Sequence, residues 1–139
     1  MIRLLWTTVF FVATFVAHSS IARAENCTCE VEEESTDVVS SATGTDGSIF
    51  KLRFPEAKVT TKSKLAYLCG ESLGEITSLK LWMPHHGHGS SPVLIVKDTE
   101  TCSRLEKLNF SMPGDWEVRL KLAEDHTATF ELSVSRPQF

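Results

Sequence analysis

Nowhere outside its N-terminal leader does this sequence repeat apolar residues every three or four positions for more than two turns. No amphipathic helix is therefore predicted. A basic excess is missing as well. Lys and Arg total 14 against 18 Asp and Glu, and two of the arginines, Arg3 and Arg23, lie in the leader. Nucleic-acid binding needs a basic footprint, so that class is excluded. The mild acidity is compatible with collecting cations and equally with ordinary solubility. Catalytic signatures are absent too. Ser90 and Ser91 follow histidines but sit in no G-x-S-x-G elbow. The chain has no H-E-x-x-H, no phosphate-binding glycine loop and no dinucleotide fingerprint. Its C-x-C, at Cys27 and Cys29, is not the C-x-x-C of a thioredoxin-like site. Catalysis needs positioned groups, and one histidine turn is the only candidate, so the chain is read as a non-enzyme.

What is present begins with a leader. Arg3 precedes the uncharged apolar run Leu4 to Ala17, and Ala22-Arg23-Ala24 gives a small-x-small ending. This is the pattern of a secretory signal peptide over 1–24, cleaved after Ala24. The run is short for a membrane span, which needs roughly 20 residues. Export to a periplasmic or extracellular space is expected, with a protein anchored to the membrane by an uncleaved leader as the alternative. Roughly 115 residues remain, enough for one domain. Residues 25–47 are acidic, small and poor in large apolar side chains, and read as a flexible arm.

An oxidising destination lets disulfides persist. The four cysteines, Cys27, Cys29, Cys69 and Cys102, allow three pairings. Cys69 with Cys102 is the preferred one, closing a loop of about 30 residues for roughly 3–4 kcal/mol. Cys27 and Cys29 would then close a small ring, bind a soft metal or pair with another chain.

From Ser48 the pattern becomes period 2. Runs at "SIFKLRF", "KLAYLCG", "TSLKLWMP", "PVLIVKD", "RLEKLNFSM", "DWEVRLKLAED" and "TATFELSV" read as strands, with Val93 to Val96 fully buried. Turn residues separate them: Gly70, Gly74, the Gly87–Gly89 turn, "DTETCS", "MPGD" and "AEDHT". About seven short strands predict an all-β antiparallel sandwich over 48–139. Trp116 is expected in the core and Trp82 packed under the histidine turn.

The sharpest feature is "LWMPHHGHGSSP", Leu81 to Pro92. Three of the four histidines outside the leader, His85, His86 and His88, crowd beside Met83. Thioether and imidazole together suit copper, and imidazole also suits zinc. Gly87 and Gly89 permit a tight turn that brings neighbouring rings together. Only neutral histidine ligates, so binding should weaken as pH falls through about 6.5. Set against this, Met83 could be core and the histidines solvated. His126, alone in the "EDHT" turn, is not counted as a ligand.

The segment "SLKLWMPHHGHGSSP", followed by "LEKLNFSMPGDWEVRLKL" and "TATFELSV", resembles the YtkA-like family of small exported β-sandwich domains. The resemblance spans Ser48 to Val134. It implies an immunoglobulin-like or copper-resistance-protein-like sandwich with a link to metal handling. Carried over by position, it marks Met83, His86 and His88 in the first motif and Met112 in the second. His85 stands where the family varies, and the cysteines lie outside the shared pattern. The expectation is a copper carrier, buffer or delivery partner that meets a metal ion and another exported or membrane protein. The rival is an exported interaction or structural module whose histidine loop is solvated. Converging ligand atoms would favour the first reading, and splayed rings over a sealed Met83 the second.

Overall fold

The computed structural model describes residues 27–138. The predicted leader, 1–24, lies outside the described residues. Nine strands follow in chain order: β1 (Val38–Thr43), β2 (Ile49–Phe54), β3 (Leu65–Gly70), β4 (Ile76–Met83), β5 (His88–Gly89), β6 (Leu94–Lys97), β7 (Cys102–Glu106), β8 (Gly114–Leu122) and β9 (Thr127–Val134). One 3-10 turn, Ala123–Asp125, joins β8 to β9. All strand pairs are antiparallel. They form a five-stranded sheet ordered β1-β2-β3-β7-β6 and a four-stranded sheet ordered β5-β4-β8-β9.

Alternation decides which side chains meet between the sheets. Phe50, Leu52 and Phe54 of β2 and Ala66 and Leu68 of β3 face Leu79, Leu81 and Met83 of β4 and Trp116, Val118 and Leu120 of β8 in one core. The outward positions of β8, Asp115, Arg119 and Lys121, stay exposed. The β2–β3 connection is tied to the end of β9 by backbone bonds, Thr61 N–H to the Ser135 carbonyl at 3.1 Å and Ser135 N–H to that of Val59 at 2.9 Å.

Four sequence readings change. The described residues form nine strands, not about seven. β1 forms inside 25–47, the stretch read as a flexible arm, because Val38 and Ala42 reach the core edge. The run "RLEKLNFSM" is not one strand. β7 ends at Glu106, and Lys107 takes a left-handed φ of 59°. Leu108 and Phe110 then plug the core from a loop, each 1% exposed. Val93 to Val96 is no buried strand either: β6 is a sheet edge, and Leu94 is 43% exposed.

The cysteine expectation is overturned. Cys27 bonds to Cys102 and Cys29 to Cys69, with Cα separations of 5.7 and 6.0 Å. Cys69 and Cys102 do face each other across β3 and β7. Both, however, point to the outer face, where the arm lies. Residues i and i+2 of an extended chain project to one side. The two arm cysteines thus reach one strand each. Cys29 and Tyr67 are buried with Cys102 in a small outer cluster, flanked by Cys27, Leu65 and Cys69. Arg53 adds a clamp. Its Nε donates to the Thr28 carbonyl at 2.6 Å, its Nη1 to Asp37 at 2.6 Å, and its guanidinium lies 4.4 Å from the Tyr67 ring centroid.

Candidate metal turn and the cysteine cluster

The histidine turn caps a hairpin. β4 carries Leu79, Leu81 and Met83 inward, then Pro84 to Gly87 reverse the chain. The His86 and Gly87 N–H groups donate to the Met83 carbonyl at 3.2 and 2.9 Å. Gly87 has φ 64°, a left-handed conformation that glycine adopts without strain. β5 then pairs back, setting His88 opposite Met83 and Gly89 opposite Trp82. Directly opposed residues of an antiparallel pair share a face. The His88 ring and the Met83 thioether therefore stand on the same side, at one end of the sandwich.

Both sequence motifs meet there. The His88 ring lies edge-on to Trp116, with centroids 6.0 Å apart and planes at 78°. Trp116, 1% exposed as expected of core, donates its indole N–H to the Met112 carbonyl at 3.0 Å. The Ser90 hydroxyl donates to the Asn109 carbonyl and ties the strand after the turn to the second loop. The His86 and His88 rings are neighbours, centroids 5.9 Å apart. His88 Nδ1 lies 3.2 Å from the Gly89 carbonyl. A carbonyl only accepts, so this contact is a hydrogen bond only in the tautomer with a proton on Nδ1, the one whose neutral ring has its lone pair on Nε2.

The other predicted positions separate. Met83 is 2% exposed and packed in the core, and a Cβ built on Gly114 would lie 2.6 Å from its Cε. Met112 is half-buried against the same core. His85 is exposed and lines a different cleft with Asp115, Glu117 and Glu131. Trp82 is half-buried on the outer face: it stands opposite Gly89 of the turn hairpin with its ring against that glycine, and the Arg119 guanidinium lies 4.9 Å from its ring centroid. His126 sits at the β8–β9 turn, the opposite end of β8. Among the described residues, no three His, Cys, Asp or Glu side chains converge to hold a metal ion.

Sequence reasoning missed the second cluster of soft atoms. The Cys69 and Cys102 sulfurs are 3.3 Å apart although each is bonded elsewhere, so the four sulfurs form one contiguous group. A cleft lined by Glu30, Lys51, Glu71 and Thr101 opens on them. The C-x-C spacing was the available signal, and reading its surroundings as a loose arm hid it.

No helix among the described residues is long and apolar enough to cross a membrane. The two disulfides are compatible with an oxidising, exported location. In comparisons with known proteins, no family model, no curated protein and no solved structure matches the chain.

Proposed function

We propose that the protein is an exported metal-binding β-sandwich, immunoglobulin-like and akin to the YtkA-like domains, that carries, buffers or delivers copper. His86 and His88 are its primary ligands, and the reading is one of binding, not catalysis. The observation that carries it is the pair of adjacent imidazoles at the sandwich end where both motifs meet, with the His88 Nδ1 within hydrogen-bond reach of the Gly89 carbonyl. Orienting a ligating ring through its second nitrogen is how proteins usually prepare imidazole for a metal. Met112, half-buried against the core, has its carbonyl bonded by the same Trp116 indole that the His88 ring packs against, and its thioether is of a kind that suits Cu(I). Met83 shares the face of His88 but is sealed, so it shapes the floor of the site unless the start of β8 at Gly114 yields.

A second reading has its own support. The sealed Met83 and the absence of three converging ligands among the described residues favour an interaction module with a solvated histidine loop.

Titration of the purified protein with Cu(I), anaerobically and against a competing chelator, separates the two, with Cu(II) and Zn(II) run in parallel. Stoichiometric binding that is lost in the His86→Ala/His88→Ala double variant is expected. Unchanged binding in that variant would remove the site assignment, and no binding of any of the three ions would leave the module. Met83→Leu should leave the affinity within about twofold, whereas Met112→Leu should weaken Cu(I) binding about tenfold, one broken ligand bond amounting to about 1.4 kcal/mol.

A further inference from the structure

We propose that the four cysteines form a thiol–disulfide exchange site with two pairings, so that a two-electron reduction frees the Cys27/Cys29 arm as a dithiol and staples β3 to β7. This does not depend on the histidine turn. Its basis is the position of the unbonded sulfur neighbours. Cys69 and Cys102 are register partners with their sulfurs 3.3 Å apart. Their backbones are not hydrogen-bonded to each other. The adjacent Gly70 N–H donates to the Thr101 carbonyl, and the Cys102 carbonyl accepts from Asp98 and Thr99 on the other side. Non-hydrogen-bonded pairs hold their Cα atoms at about 4.5 Å, within the range a disulfide spans. The alternative bond thus needs no movement of the sheet.

Access is graded. Cys27 and Cys69 are half-exposed on the cleft, while Cys29 and Cys102 are buried. An external dithiol therefore reaches Cys27 first. Its thiolate attacks the Cys27 sulfur, forming a mixed disulfide and expelling Cys102 as a thiolate. Cys102 attacks the neighbouring Cys69 sulfur, forming Cys69–Cys102 and expelling Cys29, which takes a proton. The second thiol of the reductant then closes on its own partner sulfur and releases Cys27, which takes the other proton. Two electrons and two protons pass from the dithiol to the protein, and one cyclic disulfide leaves. Exchange through mixed disulfides follows this logic wherever a thiolate can reach a neighbouring disulfide sulfur. Afterwards no covalent bond ties Cys27 or Cys29 to the sheet, and the Arg53 bonds to the Thr28 carbonyl and Asp37 remain.

The test is stepwise reduction of the purified oxidised protein in dithiothreitol redox buffers, with acid trapping, alkylation and mass mapping of the cysteines. The expected intermediate carries two alkyl groups, on Cys27 and Cys29, and a Cys69–Cys102 bond. An intermediate alkylated on Cys27 and Cys102, or on Cys29 and Cys69, would overturn the proposal. So would four thiols appearing together. The Cys27→Ser/Cys29→Ser variant gives a second readout. It should fold with no free thiol, whereas two free thiols on an intact sheet would also overturn the proposal. Mapping the unaltered protein decides the matter even if that variant fails to fold.

Discussion

Single residues set the geometry of the histidine end. Gly114 combines φ 137° with a Met83 methyl where a side chain would go. Gly114→Ala should therefore destabilise the protein by about 1–3 kcal/mol in chemical denaturation, the usual cost of a forced backbone conformation. Adding Met83→Ala would relieve the contact but not the backbone strain, so the double variant should not recover. Asp37 makes a pH-dependent contribution. Burial raises its carboxyl, but hydrogen bonds from Arg53 and Ser35 together with the Arg53 charge outweigh this, and it ionises below its ordinary 3.8. A depressed carboxylate stabilises the fold fully above its unfolded value and loses that effect as pH falls through the folded one. Asp37→Asn should thus cost about 1–2 kcal/mol at neutral pH, where the charged hydrogen bond is intact. The difference should shrink in acid denaturation series as pH falls below 3.8 and through the lower folded value.

Among elements, the contrast between β6 and β7 is the most informative. β7 runs between β3 and β6, and its inward Leu105 is fully enclosed. Among the described residues β6 is the last strand of its sheet, and Leu94 faces outward. Leu105→Ala should cost about 2–5 kcal/mol, the range for a filled core site. Leu94→Lys should change stability by no more than about 0.5 kcal/mol. Equal losses in equilibrium unfolding would mean that β6 is covered by something in solution. β4, β8 and β9 were legible because each alternates cleanly. "PVLIVKD" was not, because a short apolar run fits a buried strand and an edge strand alike.

Across the whole molecule, the arm is the element that departs most from its composition. Glu32, Glu33 and Glu34 are exposed, as an acidic arm's should be. The arm is nonetheless fixed at its start by two bridges of sequence separation 75 and 40. Full reduction should lower stability by roughly 2–4 kcal/mol per bridge, read as a fall in unfolding midpoint, because each bond restricts the unfolded chain. The sandwich has its own core, formed without any cysteine, and should persist in the reduced form with the β-sheet circular dichroism retained.

The sequence by itself determined the all-β character, the inward sets of β4, β8 and β9, and the place of Trp116 in the core. Those follow from period-2 patterning, which any strand with one buried face must obey. The resemblance also marked His86 and His88 in one motif and Met112 in a second, without placing the two motifs in space. Only the tertiary structure decided that Met83 lies sealed against Gly114, that His85 looks into another cleft, and that Cys27 and Cys29 each take a different strand. The physical reason is the same in each case. Alternation specifies a face, but which residues of distant segments share that face depends on strand order and register, and neither is a local property of the chain.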